Sequence, residues 1–325
     1  MTTSISAIKT KSRNACPVCG NKGSMLYKDM QDYFLSTPGL WTINKCSNNS
    51  CSTLWLNPMP LEEEIWKAYQ AYHTHSNANK KTTSDHLLSL ITRLTKLLVL
   101  PISILNGLYL QRKKLRTMFL GKTGGRLLDV GCGGGRFLRR MKKNGWQVEG
   151  SDFDDQVANE VMDKYGIHVH TGDLKEINLS DNSFDAITLS HTIEHLYDPL
   201  ESIKRCHQLL KKEGKLIVTT PNANSLSHQR YGKYWRGLEP PRHIQIFTPN
   251  SLSSIIVRAG FSNKIVDTLS TGSAGIYKVS ALASRKKTFI MRLLLTIESI
   301  FLELLEQYRN NGSNGQDILI IATKE

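Results

Sequence analysis

The sequence predicts an α/β protein in which a largely parallel sheet is covered by helices, preceded by a small cysteine-bounded module. Three observations carry this expectation. From residue 126 onward, short apolar runs alternate with amphipathic helical stretches. The first run, RLLDV, is ended by a glycine-rich turn that opens a helix, GCGGGRFLRRMKK. Four of the six cysteines fall in two pairs before residue 52.

The elements follow in order. Residues 1–60 form the cysteine module, punctuated at its end by the two prolines of LNPMP. LEEEIWKAYQAY (61–72) reads as a helix whose acidic first turn suits the helix dipole. Residues 86–120 are leucine-rich and basic, and Pro101 breaks any helix there. Between Lys80 and Arg126 stand ten Lys or Arg and one acid, Asp85. Residues 61–122 therefore read as a helical cap or lid, and residues 123–325 as the α/β domain. Strands are expected at 126–130, 146–152, 167–173, 184–190 and 215–222. Helices are expected at 135–145, at 154–166 and at 198–214, the last with Asp198 as cap, Pro199 in its first turn and Gly214 as its stop. A helix at 248–261 and a sixth strand at 262–271 follow. A helical insertion spans about 272–315, with a long amphipathic helix at 286–308 that has Glu298, Glu303 and Glu306 on its polar side, and QDILIIATK is the final strand.

A formal charge of +14, from 42 basic and 28 acidic residues, favours anionic partners. The first residues, MTTSISAIKTKSRNAC, hold no apolar core of a leader, so the expected location is cytoplasmic. The basic, leucine-rich stretch 86–120 has a bland reading as a packed cap and a sharper one as contact with the inner membrane face or a lipid-linked substrate. No basic stripe interleaved with aromatics is seen, so nucleic acid is not the expected partner. The sequence is silent on oligomeric state.

In a reducing compartment, paired cysteines point to metal rather than disulfides. Cys16 and Cys19 have the spacing of a zinc knuckle, with Pro17 and Gly20 suited to its tight turn. Cys46 and Cys51 have four residues between them, still within the range of tetrahedral sites. Four thiolates would fill the shell, so a structural zinc in a ribbon-like module is expected.

The turn after the first strand asks which nucleotide it holds. A dinucleotide fingerprint needs glycine at its sixth position, where Arg136 stands, and no Gly-Lys-Ser/Thr of a Walker loop follows. Asp129 stands two positions before Gly131, and an acid there suits an ammonium rather than a pyrophosphate. The second strand ends at Asp152, where a carboxylate can accept ribose hydroxyls, and the third leads into Asp173. DVGCGGG resembles the D-x-G-x-G-x-G loop of class I S-adenosylmethionine-dependent methyltransferases. LSHTIEHLYDPL resembles their H-x-x-E-H-x-x-D-P stretch. YWRGLEPPRHIQIFTPNSLSSIIVRAGF resembles a bacterial small-molecule and sugar-type subgroup that often carries an N-terminal zinc module. The C-x4-C pair without a following glycine departs from that module's usual pattern.

The resemblance implies a Rossmann-like, doubly wound, seven-stranded sheet with its last strand antiparallel, a zinc-ribbon-like N-terminal module and a helical lid. It implies S-adenosylmethionine held by Asp129, Gly131, Cys132, Gly133, Gly135, Asp152, Phe153, Asp173, Leu174 and Ser190, with Asp173 toward the adenine amino group and the Leu174 amide toward the ring. The acceptor would be a small molecule such as a sugar nucleotide, glycan precursor or lipid-like intermediate, phosphate-bearing or lipid-linked, methylated on oxygen or carbon. Candidates for the proton-removing group are His191, Glu194, His195 and His243, with Arg242 a candidate for an anionic substrate group. His191 and His195 share a face if their segment is helical. The order H-x-x-E-H also occurs in a class of zinc proteases, but a strand-end position beside a glycine turn is the wrong context for that chemistry. RNA or protein methylation, and a non-catalytic S-adenosylmethionine-binding module, remain open readings of the same residues.

Overall fold

The computed structural model describes residues 8–69, 83–122, 124–284 and 288–325, apart from the side chains of 83–87 and 289. The chain divides into two compact units: unit 1 takes Met1–Tyr109, Pro221–Ser251 and Thr268–Gln316, and unit 2 takes Leu110–Thr220, Leu252–Asp267 and Asp317–Glu325.

Unit 1 opens with β1 (Thr10–Lys11), β2 (Gly23–Met30), β3 (Trp41–Cys46), β4 (Leu54–Leu56) and β5 (Met59–Pro60). Strands β2, β3 and β4 form an antiparallel meander. Its free edge is taken by β11 (Gln245–Ile246), so the sheet order is β11-β4-β3-β2. Met30, Trp41, Ile43, Leu54, Trp55 and Leu56 are buried in this module. The acidic stretch after it starts as a 3-10 turn at Glu62–Glu64, residues 67–69 are α-helical, and residues 70–72 of that expected helix lie outside the described residues.

The leucine-rich segment is helical in three pieces: α1 (Thr83–Leu98), α2 (Leu100–Leu105) and α3 (Leu108–Leu115), the last running from unit 1 into unit 2. Pro101 sits in the first turn of α2, where its missing N–H costs nothing, and so divides α1 from α2 as expected.

Unit 2 carries the large sheet: β6 (Arg126–Val130), β7 (Gln147–Asp152), β8 (Val169–Thr171), β9 (Phe184–Ser190), β10 (Leu210–Pro221), β12 (Asn263–Leu269) and β13 (Asp317–Thr323). Between them run α4 (Arg136–Lys143), α5 (Asp155–Tyr165), α6 (Pro199–Leu209) and α8 (Pro249–Arg258). The order is β8-β7-β6-β9-β10-β13-β12. The pairs β6–β7, β7–β8, β6–β9 and β9–β10 are parallel. Strand β13 is antiparallel to β10: Lys324 bonds Gly214 at one end while Gln316 bonds Asn222 at the other. This is a Rossmann-like, mostly parallel α/β sheet. Leu127, Leu128, Ile187, Leu189, Leu216 and Val218 are fully buried, the continuous apolar pattern of strands covered on both faces.

Two expectations need correction. The helix from Pro199 stops at Leu209, not at Gly214, and Leu210 already pairs with Phe184 as the start of β10. The backbone N–H groups of Asn182 and Ser183 donate to the carbonyls of Gln208 and Leu209, which satisfies the helix end early.

The second concerns the long helix, α10 (Phe289–Arg309), which follows α7 (Leu226–Tyr231) and α9 (Ser273–Ser284) in unit 1. Glu303 and Glu306 are not on a solvated face; each is 1% exposed. Glu303 Oε1 accepts the Gly272 N–H at 2.7 Å and Glu306 Oε1 accepts the Gln316 N–H at 2.6 Å. The Gln316 donor is buried and the Gly272 bond part-buried, and the helix supplies an acceptor to each from its inner side. Glu298 is partly exposed and pairs with Arg230.

Candidate functional site

The winding of the unit 2 sheet reverses between β6 and β9, since the chain runs from β6 to β7 and β8 on one side and continues through β9 and β10 on the other. Ligands of open α/β sheets bind beyond the carboxyl ends of strands at such a reversal. The register places Val130 beside Ser151 and Leu189, and Asp152 beside Thr171. Asp152 and Ser190 thus end their strands, and Gly131 and Asp173 lie just past theirs, along one edge.

The glycine loop is shaped by its backbone. The Gly131 and Cys132 N–H groups both donate to the Ser151 carbonyl, at 2.7 and 3.1 Å. The Gly133 N–H donates to Asp152 Oδ2 at 2.9 Å, tying the loop to the end of β7. Gly131 has φ 69° and Gly133 φ 47°, conformations that disfavour any side chain. A Cβ at Gly131 would lie 2.5 Å from Thr192 Oγ1, whereas one at Gly133 or Gly134 would meet nothing within 4 Å. Gly131 is therefore glycine for packing, and Gly133 and Gly134 border open space.

Asp129 is 4% exposed and accepts Thr188 Oγ1 at 2.6 Å. Burial raises its carboxyl to about 7, against the Thr188 bond, and the charge of Asp152 adds to the rise. Burial likewise pushes the Cys132 thiol far up, so it holds its proton at neutral pH. Asp152 Oδ1 accepts the Asp154 N–H. Phe153 is 63% exposed. Asp173 accepts the Lys175 N–H and pairs with the Lys175 ammonium at 3.0 Å. Leu174 is buried, and Ser190 Oγ accepts from Thr219 Oγ1.

After β9 the chain does not form the helix that would align His191 with His195. Only Ile193–His195 makes a single 3-10 turn, and His191 precedes it with φ 53°. His191 instead stands between two carboxylates: Nδ1 is 3.6 Å from Glu194 Oε1 and Nε2 is 3.6 Å from Asp317 Oδ2. Glu194 is fully buried and accepts Thr220 Oγ1 at 2.8 Å. Desolvation opposes charge on the imidazole, but the two carboxylates outweigh it and hold His191 up at about 9. Burial in turn lifts Asp317 to about 6, moderated by His191. Asp317 escaped the sequence reading; its one signal is an acid heading the otherwise apolar run ILII.

In unit 1, the Sγ atoms of Cys16, Cys19, Cys46 and Cys51 all lie within 4.8 Å of one another. Cys16 is 3.7 Å from Cys51 and Cys19 is 3.4 Å from Cys46. Arg242 does not offer its guanidinium to a substrate: it is 1% exposed. Its Nη2 pairs with Asp32 at 2.8 Å, its Nε with Glu239 at 2.9 Å, and its Nη1 donates to Thr37 and the Ala68 carbonyl. Asp32 is thereby held below the usual carboxylate range, the Arg242 charge overcoming burial. His243 is buried, its Nδ1 2.8 Å from the Gly237 carbonyl, which assigns the ring proton to that nitrogen. Unit 1 also has an open cavity of about 460 Å³ lined by Tyr33, Phe34, Arg236, Leu282 and Arg292 among others, none of them in the glycine loop.

Residues 106–264 match the model of a methyltransferase domain family. A probable S-adenosylmethionine-dependent methyltransferase of Mycobacterium tuberculosis is 29% identical over 136 residues, 42% of this chain and 48% of that protein. A ubiquinone biosynthesis O-methyltransferase of Actinobacillus pleuropneumoniae is 34% identical over 138 residues, 38% of this chain and 56% of that protein. The chain thus spans about half the length of the curated relatives it matches. Among solved structures, an S-adenosylmethionine-dependent methyltransferase of Thermotoga maritima is similar with a TM-score of 0.47 and 23% identity, over 69% of this chain and 93% of that one. The glycine loop and the acids at the strand ends all fall within residues 106–264, which are similar to a methyltransferase domain family.

Proposed function

We propose that the whole chain is a small-molecule methyltransferase whose donor site is the strand-end edge of unit 2. The observation that carries this is the buried carboxyl of Asp129 beside a glycine loop tied to Asp152, with open space at Gly133 and Gly134. The residues fit S-adenosylmethionine. Asp129 and the loop would take its amino-acid end, Asp152 its ribose hydroxyls, and Asp173, Leu174, Phe153 and Ser190 the base. The sulfonium supplies the methyl group when the donor is bound.

The chain's own tasks are alignment and proton removal. Holding two reactants in line supplies several kcal/mol, and a placed base adds roughly 10²–10⁴-fold. Of the candidate bases, His191 at about 9 is charged at neutral pH, so it donates a hydrogen bond there and accepts a proton only on the alkaline side. Glu194 and Asp317 fix its ring from both sides. His195 and His243 remain proposed alternatives for the base.

The acceptor class is a sugar nucleotide, glycan precursor or lipid-like intermediate, methylated on oxygen or carbon. The similarity to ubiquinone biosynthesis O-methyltransferases supports a small-molecule acceptor methylated on oxygen. Incubation with methyl-labelled donor and a panel of sugar nucleotides, polyprenyl-linked sugars and quinols tests this. Label in one of these classes is expected; no transfer to any of them by protein that binds the donor would overturn the acceptor assignment.

The four cysteines support a structural zinc. Thiolates about 2.3 Å from a tetrahedral ion stand roughly 3.8 Å apart, close to the separations in the cluster. Four sulfurs leave no open position, so the ion would brace the module and take no part in chemistry. One zinc per chain is expected by elemental analysis, and none after Cys16→Ser with Cys51→Ser.

A further inference from the structure

Helix α10 is apolar on both faces: it buries Leu295, Ile300 and Leu304 and also turns an apolar stripe to solvent. It buries Thr296, Ser299, Glu303 and Glu306, none more than 4% exposed. It turns outward Ile290 (69% exposed), Leu294 (56%), Phe301 (53%), Leu305 (41%) and Tyr308 (83%). Steps of four, seven, four and three residues place these five on a single stripe. The helix cannot roll to hide the stripe, because Glu303 and Glu306 are committed to the Gly272 and Gln316 N–H groups.

Helix α1 packs against α10 and repeats the pattern. It exposes Leu90, Leu94, Leu97 and Leu98, again one face at helical spacing, and α2 adds Ile102, Ile104 and Leu105, the last 87% exposed. All three helices belong to unit 1. A contiguous apolar surface of this kind marks an interaction site rather than scattered exposed leucines.

The charge says what covers it. No Asp or Glu occurs from His86 to Leu128. Arg93 and Lys96 stand exposed on α1, and Arg309 on the last turn of α10. The one partly exposed acid of α10, Glu298, is neutralised by Arg230 at 2.7 Å. Among the described residues, no helix is long and apolar enough to cross a membrane. An apolar face that shows no unpaired acid among the described residues, bordered by bases and carried on helices not long and apolar enough to span, fits helices lying in the plane of an anionic interface.

We propose that α1, α2 and α10 form an interfacial docking surface for an anionic lipid bilayer. The leucine and phenylalanine stripe enters the headgroup–acyl boundary, and Arg93, Lys96 and Arg309 stay at headgroup level. Docking is separable from donor binding, which residues of unit 2 carry.

Flotation of the full-length, zinc-loaded chain with vesicles tests this, using phosphatidylcholine alone and phosphatidylcholine with one-fifth phosphatidylglycerol. The wild-type chain is expected to float with the anionic vesicles and less with the neutral ones. Leu294→Gln, Phe301→Gln and Leu305→Gln together should lower partitioning on the order of 100-fold or more, since each removes an inserted apolar side chain. These positions are exposed, so melting temperature and S-adenosylmethionine binding should stay at wild-type levels. Arg93→Gln with Lys96→Gln should lower anionic-vesicle binding about 10–30-fold and leave neutral-vesicle binding unchanged. Wild-type protein that stays unbound, equal binding to neutral and anionic vesicles, or a triple variant that floats like wild type would each overturn the proposal. So would a dimer that the triple variant abolishes in a chain that ignores vesicles, which would assign the face to a second copy.

Discussion

Gly131 and Gly133 share a left-handed backbone two residues apart, yet they should fail differently when a methyl group is added. At Gly131→Ala, the φ of 69° costs an L-residue about 1–2 kcal/mol. The new Cβ would also fall 2.5 Å from Thr192 Oγ1 and 2.7 Å from its Cγ2. Thr192 must move, which breaks the 3.0 Å bond from its buried hydroxyl to the Val130 carbonyl, a further cost of about 1–3 kcal/mol. Gly131→Ala should therefore destabilise the protein by about 2–5 kcal/mol. Gly133→Ala pays the conformational cost of about 1–2 kcal/mol only, because nothing lies within 4 Å of its Cβ. Its methyl group instead projects into the space assigned to the donor. Urea unfolding should separate the two variants in stability. Calorimetric titration with S-adenosylmethionine should show Gly133→Ala weakened at least about tenfold, as a clash in a snug site predicts. Equal stability losses, or Gly133→Ala binding the donor as wild type does, would refute the assignment of packing to one glycine and cradle to the other.

Other expectations concern the buried charges. Asp129 is raised from 3.8 to about 7, so its contribution to stability is fully present below about pH 4 and is lost as pH rises through 7. The wild-type protein without donor should lose up to about 4 kcal/mol over that window relative to Asp129→Asn, read by urea unfolding at stepped pH. Parallel pH profiles would contradict the burial of that carboxyl. His191 is raised to about 9, so its contribution is present below the ordinary histidine value and fades as pH climbs through 9. Asp317→Asn should bring the His191 midpoint down toward that ordinary value in a histidine-labelled NMR titration; an unmoved midpoint would remove Asp317 from the site. Asp32→Asn leaves the Arg242 guanidinium buried without its nearest carboxylate partner, and should cost about 3–5 kcal/mol in urea unfolding. A loss below about 1 kcal/mol would show that Glu239 alone satisfies Arg242.

The strands around the glycine loop were legible because their signals are local. RLLDV and FDAITLS are short apolar runs ended by glycine and serine, WQVEGSD is a strand-like stretch ended by an acid, and each became a strand whose end lies on the same edge. What local pattern could not show was which distant segment answers a buried charge. Asp32 meets Arg242 and His191 meets Asp317 across stretches of chain that no periodicity links, so Arg242 looked available and Asp317 looked ordinary. The amphipathic pattern of α10 marked the helix but misplaced Glu303 and Glu306, which share its inner face with Leu295, Ile300 and Leu304. Hydrophobic period says that two faces differ; the backbone N–H groups of Gly272 and Gln316, invisible in the sequence, decided that the glutamates face in. The end of α6 shifted for a similar reason, since Asn182 and Ser183 capped it before the glycine that marked its stop.

We assign a methyl-donor site to the row of acids at the strand ends of unit 2. Calorimetric titration of S-adenosylmethionine into the full-length chain, beside Asp152→Ala, tests it most directly. The expected result is one saturable site per chain that Asp152→Ala abolishes or weakens by more than about tenfold, the loss of its ribose-hydroxyl acceptor. No binding by the folded wild-type chain, or equal binding by the variant, would contradict it.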